Sequence, residues 1–264
     1  MWHMAVKSNL YSVKIVIYKT NMARKPTTAR ARAGRAASET APARVPRKRG
    51  ASRPAASNET TPYHHGALRD GLLEAAERVL ERDGLAGLTL RAVAREAGVS
   101  HAAPTHHFGD LTGLLSELAA IGFRQFNTAM SAAGASATAH PEKAMARARA
   151  YVAYAQAHPG MYGLMFRTER LDMTRPSLHE AANASFAGLA GAIGVNRQEQ
   201  ISEQALSLAQ AADIARAWSL VHGFTMLLLD GRLTDILDRL PDGSDAGMLL
   251  DAMLRRAIGQ MPVA

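Results

Sequence analysis

Residues 85–115 read LAGLTLRAVAREAGVSHAAPTHHFGDLTGLL, and their punctuation decides the fold. Thr89 is placed to cap a helix, its hydroxyl accepting one of the backbone N–H groups that a first turn leaves unpaired. Leu90, Val93, Ala94 and Ala97 follow at i, i+3, i+4 and i+7, which puts them on one apolar face. Gly98 falls where a helix ends in the left-handed region, open to glycine at little cost. Val99 is placed as a core plug, and Ser100 is expected to cap a second helix, His101 to His107. Gly109 and Asp110 should end that helix and cap a longer one from Leu111. The middle helix is barely two turns long and strongly polar, so its neighbours must hold it. Two helices about a tight glycine turn are the layout of a helix-turn-helix, whose second helix enters the DNA major groove.

Toward the N-terminus, Leu68, Leu72, Ala75, Ala76, Val79 and Leu80 keep a helical stripe that Gly84 closes. A three-helix unit therefore spans roughly 63 to 108, with Phe108 as its last core anchor. Glycine turns occur in any small helical bundle; the order of caps, turn and helix lengths favours DNA binding. Pro104 is expected near the fourth helical position, where it would remove one of the first intrahelical bonds.

The stretch from Tyr63 to about Phe126 resembles the DNA-binding domain of TetR-type transcriptional regulators. YHHGALRDGLLEAAERVL, residues 63–80, is similar to the opening helix of one subgroup, and LRAVAREAGVSHAAPTHHF, residues 90–108, to its helix-turn-helix. The resemblance implies an all-α fold: a three-helix DNA-binding domain, then a larger helical ligand-binding and dimerisation domain. It also implies a homodimeric repressor on double-stranded DNA, at a pseudo-palindromic operator, released by a small molecule. Carried onto this sequence, Arg91 sits where the family contacts phosphate or a base. His101, Ala102 and Ala103 sit at the exposed start of the recognition helix, and His107 at a further contact. Thr89, Ser100, Thr105 and His106 complete the expected DNA-facing set. Thr105 stands where the family usually has a phosphate-touching tyrosine, and Leu111 where it has a lysine. Each lost phosphate contact lowers affinity.

Charge is unevenly spread. Residues 1–60 carry 13 Lys/Arg against Glu39 and Glu59, a net +11, so the chain total of +8 leaves residues 61–264 at −3. From Ala23 to Ser57 there is almost no large apolar side chain, the composition of a disordered segment. Arg47, Lys48 and Arg49 suit release of counterions from DNA. An alternative reading follows: a weakly sequence-specific architectural DNA binder driven by this tail. Tyr11 to Tyr18, interrupted by Lys14, is too short and too charged for a membrane span. Met22 is a plausible start, making residues 1–21 an upstream extension. The expected organisation is a basic extension at 1–60, a DNA-binding domain at 61–127 and a helical sensing and dimerisation domain at 128–264.

The second half is rich in Ala, Leu and Met. Ser131 to Thr138 reads as a loop, Glu142 to Ala157 as a helix, and 171–180 as a loop holding Pro176. Further helices are expected at Leu178 to Ile193, Glu199 to Leu229 and Ala246 to Ile258. AWSLVHGF, residues 217–224, resembles the Trp-His-Gly signature of one C-terminal domain type in this family, and HPGMYGLMF, residues 158–166, another part of it. Tyr151, Tyr154, Met161, Tyr162, Met165, Phe166, Trp218 and Met226 are candidates for the wall of an apolar ligand cavity, with His222 or Arg167 as polar anchors. Core packing alone would use the same residue types. The nearly all-apolar helix carrying Gly223 is a candidate isologous dimer interface, together with the last helix.

With no cysteine, no disulfide, thiolate nucleophile or Cys-based zinc site is possible. No phosphate loop, nucleophile elbow or catalytic pair stands out, so neither an enzyme nor a bound cofactor or metal is expected. Without an export signal or membrane span, a cytoplasmic protein working on DNA is the simplest expectation.

Overall fold

Alanine and leucine repeating at helical spacing make helix the local choice almost everywhere, and punctuation decides where each helix breaks. A computed structural model describes residues 65–202 and 204–259, and within them the regular structure is all helical. The first helices are α1 (His65–Gly87), α2 (Leu90–Glu96), α3 (Ala103–Phe108) and α4 (Leu111–Ser136). Then come α5 (His140–Ala157), α6 (Pro159–Met165), a 3₁₀ turn (Thr168–Arg170) and α7 (Pro176–Arg197). The chain continues through α8 (Leu208–Leu229), the one-turn α9 (Thr234–Leu237) and α10 (Ala246–Gly259). No described helix is long and apolar enough to cross a membrane. The basic extension, the proposed start at Met22 and the tyrosine-flanked run at 11–18 lie outside the described residues.

The caps expected around α2 and α4 form. Thr89 Oγ1 accepts from Ala92 N at 3.1 Å, and Asp110 Oδ1 from Gly113 N at 2.7 Å. Gly98 turns at φ 68°, and Gly84 breaks α1 at φ 67° without ending it. The helix α3 begins later than expected. Ala102 is its N-cap, and Ser100 contributes its carbonyl, accepting from Ala103 N at 3.1 Å, rather than a side-chain cap. Pro104 therefore lies in the first turn, where its missing N–H would have had no helical partner. The anticipated loss of a helical bond does not occur.

Farther on, Ser131 to Ser136 is helical, not loop. Alanine sustains the helix, and Gly134 lets the Arg147 guanidinium of α5 lie against it. Pro159 starts a new helix directly after α5, and Pro176 opens α7 instead of sitting in a loop, both in first-turn positions. Residues 199–207 do not join α8. Ser207 and Gln210 form a reciprocal capping box that fixes its start at Leu208.

One apolar core runs from the three N-terminal helices into α4, α5, α6 and α7. Leu72, Val79, Val93, Phe108, Leu114 and Leu118 are buried there beside Tyr162, Leu164 and Leu178. α4 packs against both α5 and α7, so it is continuous between the first three helices and the C-terminal bundle. A second cluster, including Val152, Phe224, Leu233, Leu250 and Leu254, joins α5, α8 and α10.

Candidate DNA interface and aromatic site

The recognition helix is a short peptide with an anchored inner face. Phe108 is 2% exposed and Pro104 is buried, whereas Ser100, His101, Ala102, Thr105 and His106 are exposed and Ala103 and His107 half-buried. Thr89 and Arg91 are also exposed, on the preceding helix; the Thr89 hydroxyl is occupied by its capping bond. α2 is fastened to α1 through Glu96, which accepts from Arg78 at 3.0 Å and from Arg82 at 2.9 Å. Leu111 is half-buried against the core, which accounts physically for an apolar residue where a lysine is usual. Among the described residues, no group of three or more His, Asp or Glu could hold a metal ion.

The C-terminal bundle gathers five of the expected cavity residues: Tyr151, Tyr162, Phe166, Trp218 and His222. Tyr162 Oη lies 2.8 Å and Tyr151 Oη 2.9 Å from His222 Nδ1, and Tyr162 Oη donates to Tyr151 Oη at 3.1 Å. The Phe166 ring packs 4.7 Å from that of His222, and the Trp218 ring 6.1 Å from it. Burial pushes the Tyr151 hydroxyl up to about 12 and drives that of Tyr162 strongly upward, while it lowers His222 below the usual histidine value. All three groups are therefore neutral near pH 7. A neutral imidazole with its proton on Nε2 offers one lone pair at Nδ1. One phenol donates there and the other to its neighbour, which makes the trio self-satisfying.

The other expected residues lie elsewhere. The Tyr154 hydroxyl donates to the Gly122 carbonyl at 3.1 Å and to Gln125 Oε1 at 3.3 Å. Met161 and Met165 are buried core, packed where Gly122 leaves room. Met226 is 38% exposed, and Arg167 lies at the surface, 4.0 Å from Glu169. Sequence reasoning missed Thr225, buried and beside the Tyr162 hydroxyl, and Phe126, 4.9 Å from the Tyr151 ring. Thr225 was legible as a polar residue three positions after His222; nothing local marks Phe126.

A short helix with a buried base and a polar outer face, set behind a glycine turn, defines a helix-turn-helix protein. Residues 72–118 match the family described as bacterial regulatory proteins, tetR family. Residues 144–257 match the tetracyclin repressor-like C-terminal domain. The chain belongs to the TetR family of DNA-binding transcriptional regulators. A helix-turn-helix-type transcriptional regulator of Mycobacterium tuberculosis is 27% identical over 191 residues, 72% of this chain and 80% of the relative. A solved protein of unknown function from Rhodococcus sp. RHA1 is 33% identical, with TM-score 0.61, over 76% of this chain and 98% of its own. The regulatory protein SCO4313 shares the fold at 22% identity and TM-score 0.56, over 75% of this chain and all of its own.

Proposed function

We propose that this chain is a dimeric repressor that reads a pseudo-palindromic operator with α2 and α3 and leaves it when a small, largely apolar molecule enters the C-terminal bundle. The observation that carries the reading is the exposed row Arg91, His101, Ala102, Thr105 and His106 over a base made rigid by Phe108 and Pro104. Arg91 is the phosphate-contacting residue; His101, Ala102 and Ala103 face base edges, with His106 and His107 completing the contact. The ligand site is the aromatic group about Tyr151, Tyr162 and His222, whose neutral trio favours an uncharged, largely apolar ligand. The dimer forms through α8 and α10, where Trp218, Leu227 and Met248 are 40%, 43% and 57% exposed. We assign the DNA-binding domain to residues 61–127 and the sensing domain to 128–264.

The test is binding of residues 61–264 to DNA just upstream of its own gene, against scrambled DNA of equal length. Preference for the upstream DNA supports a specific autoregulator. In that case Arg91→Ala should weaken both duplexes alike and reduce the slope of log K against log salt by about one. Equal binding that only the 1–60 extension strengthens would support the architectural alternative, which the apolar use of Leu111 favours.

A further inference from the structure

Phe108, the last residue of the recognition helix, lies between two arginines from opposite halves of the chain. Arg69 of α1 places its guanidinium 5.5 Å from the centre of the Phe108 ring. Arg175, just before α7, donates from Nη2 to the Phe108 carbonyl at 3.1 Å. Glu117 of α4 gathers both: Arg69 Nη2 donates to its Oε2 at 2.6 Å, and Arg175 Nη1 lies 3.7 Å from its Oε1. Ser177 Oγ donates to the same Oε1 at 2.9 Å, and the Glu117 side chain is only 13% exposed.

The turn carrying Arg175 is tied down at its other end. Asp172 N donates to the fully buried Ser116 Oγ at 2.8 Å, and that hydroxyl donates in turn to the Thr112 carbonyl at 2.7 Å. Gly113 makes the passage possible, because a Cβ there would collide with both the Phe108 carbonyl and the Arg175 guanidinium. Arg175 Nε is buried without a hydrogen bond among the described residues, with Asp172 Oδ2 3.8 Å away. The guanidinium is thus positioned by its Nη atoms, one on the recognition helix and one on α4.

A six-residue helix leaves most of its carbonyls without helical partners. Gly109, at φ 82°, then reverses the chain, and its N–H donates to Thr105 O at 2.9 Å. We infer that Arg175 is a specificity-determining positioning residue: by holding the Phe108 carbonyl it fixes the angle of the recognition helix against the C-terminal bundle, and so the half-site spacing that the dimer accepts. This rests on the DNA-binding reading above. In a two-fold dimer each half-site lies at a distance set by how the helix is carried, and one base pair of spacing is about 3.4 Å. Losing a charge-assisted bond at this point frees the helix to swivel without unfolding its buried base.

The experiment incubates the full chain, and Arg175→Met, Arg175→Lys and Glu117→Gln variants, with a random-sequence duplex pool. Recovered half-sites and spacings are read alongside thermal melting and amide exchange at residues 101–110. The wild type should enrich one half-site at one spacing. Arg175→Met should enrich the same half-site at several adjacent spacings, bind the wild-type site roughly tenfold more weakly, and exchange faster only in α3. Lysine reaches one partner but cannot fork to two, so Arg175→Lys should give an intermediate spread and decides the matter if Arg175→Met does not fold. Folded Arg175 variants with the wild-type spacing and exchange would overturn the inference alone. A wild type that enriches no sequence would remove the DNA-binding reading and the inference together.

Discussion

Tyr162 and His222, 60 residues apart, meet through Oη and Nδ1 at 2.8 Å, and burial holds the imidazole neutral by lowering its proton affinity. Protonation would turn Nδ1 into a donor facing the phenol that had been donating to it. The sign of the pH dependence follows. The unfolded chain takes up this proton as pH falls through about 6.5, whereas the folded chain takes it up only at lower pH. Stability is thus intact above about 6.5 and declines below it, until the folded histidine is also protonated. His222→Asn should flatten that acid limb in melting curves from pH 7.5 to 5; an unchanged limb would assign it to other groups.

The phenols titrate in the opposite sense. The folded Tyr151 hydroxyl keeps its proton up to about 12, while an unfolded tyrosine loses it near 10, so stability should fall as pH rises between these values. Tyr162→Phe keeps the ring and deletes one hydroxyl of the trio. We expect a loss of about 1–2 kcal/mol at pH 7 in urea unfolding, with part of the alkaline slope removed. A neutral or stabilising result would mean that Tyr151 and His222 satisfy each other without it.

At the other end of the molecule, Thr89→Ala removes the hydroxyl that accepts from Ala92 N. The expected cost is about 1 kcal/mol, with amide exchange accelerating first at the start of α2. Gly98→Ala should cost about as much, because its φ of 68° is unfavourable for a side chain even though space is open there. Equal exchange rates in the wild type and Thr89→Ala would show that packing of Val93, not the cap, fixes the helix start.

Leu227 is 43% exposed on the apolar helix α8. If α8 and α10 form the dimer face, Leu227→Arg should shift sedimentation toward monomer and weaken any operator binding that needs two recognition helices. A variant that stays dimeric would move the interface elsewhere.

The parts of the fold legible in the sequence were those with local causes. Thr89, Gly98 and Asp110 act through bonds and dihedrals within four residues of themselves, so they set α2, its turn and the start of α4 as expected. Ser100 misled because its own carbonyl closed the turn, leaving the helix to start at Ala103. The prolines were harder, since proline marks both loops and first turns; Pro159 and Pro176 proved to be the latter. In the aromatic site, Trp218 and His222 share a helix face and could be paired from spacing. Their meeting with Tyr151 and Tyr162 depends on how α5, α6 and α8 pack, which spacing does not encode. The same limit hid Glu117 and Arg175, two charged residues with no local motif to mark them.

Pro104 fixes one backbone torsion in the first turn of the recognition helix, and its ring is already buried. A segment of this kind arrives at a duplex with little conformational entropy left to lose. Association through this segment would therefore be rigid docking rather than folding on the template, and its heat-capacity change would reflect the surface covered at the groove, with little contribution from newly ordered chain.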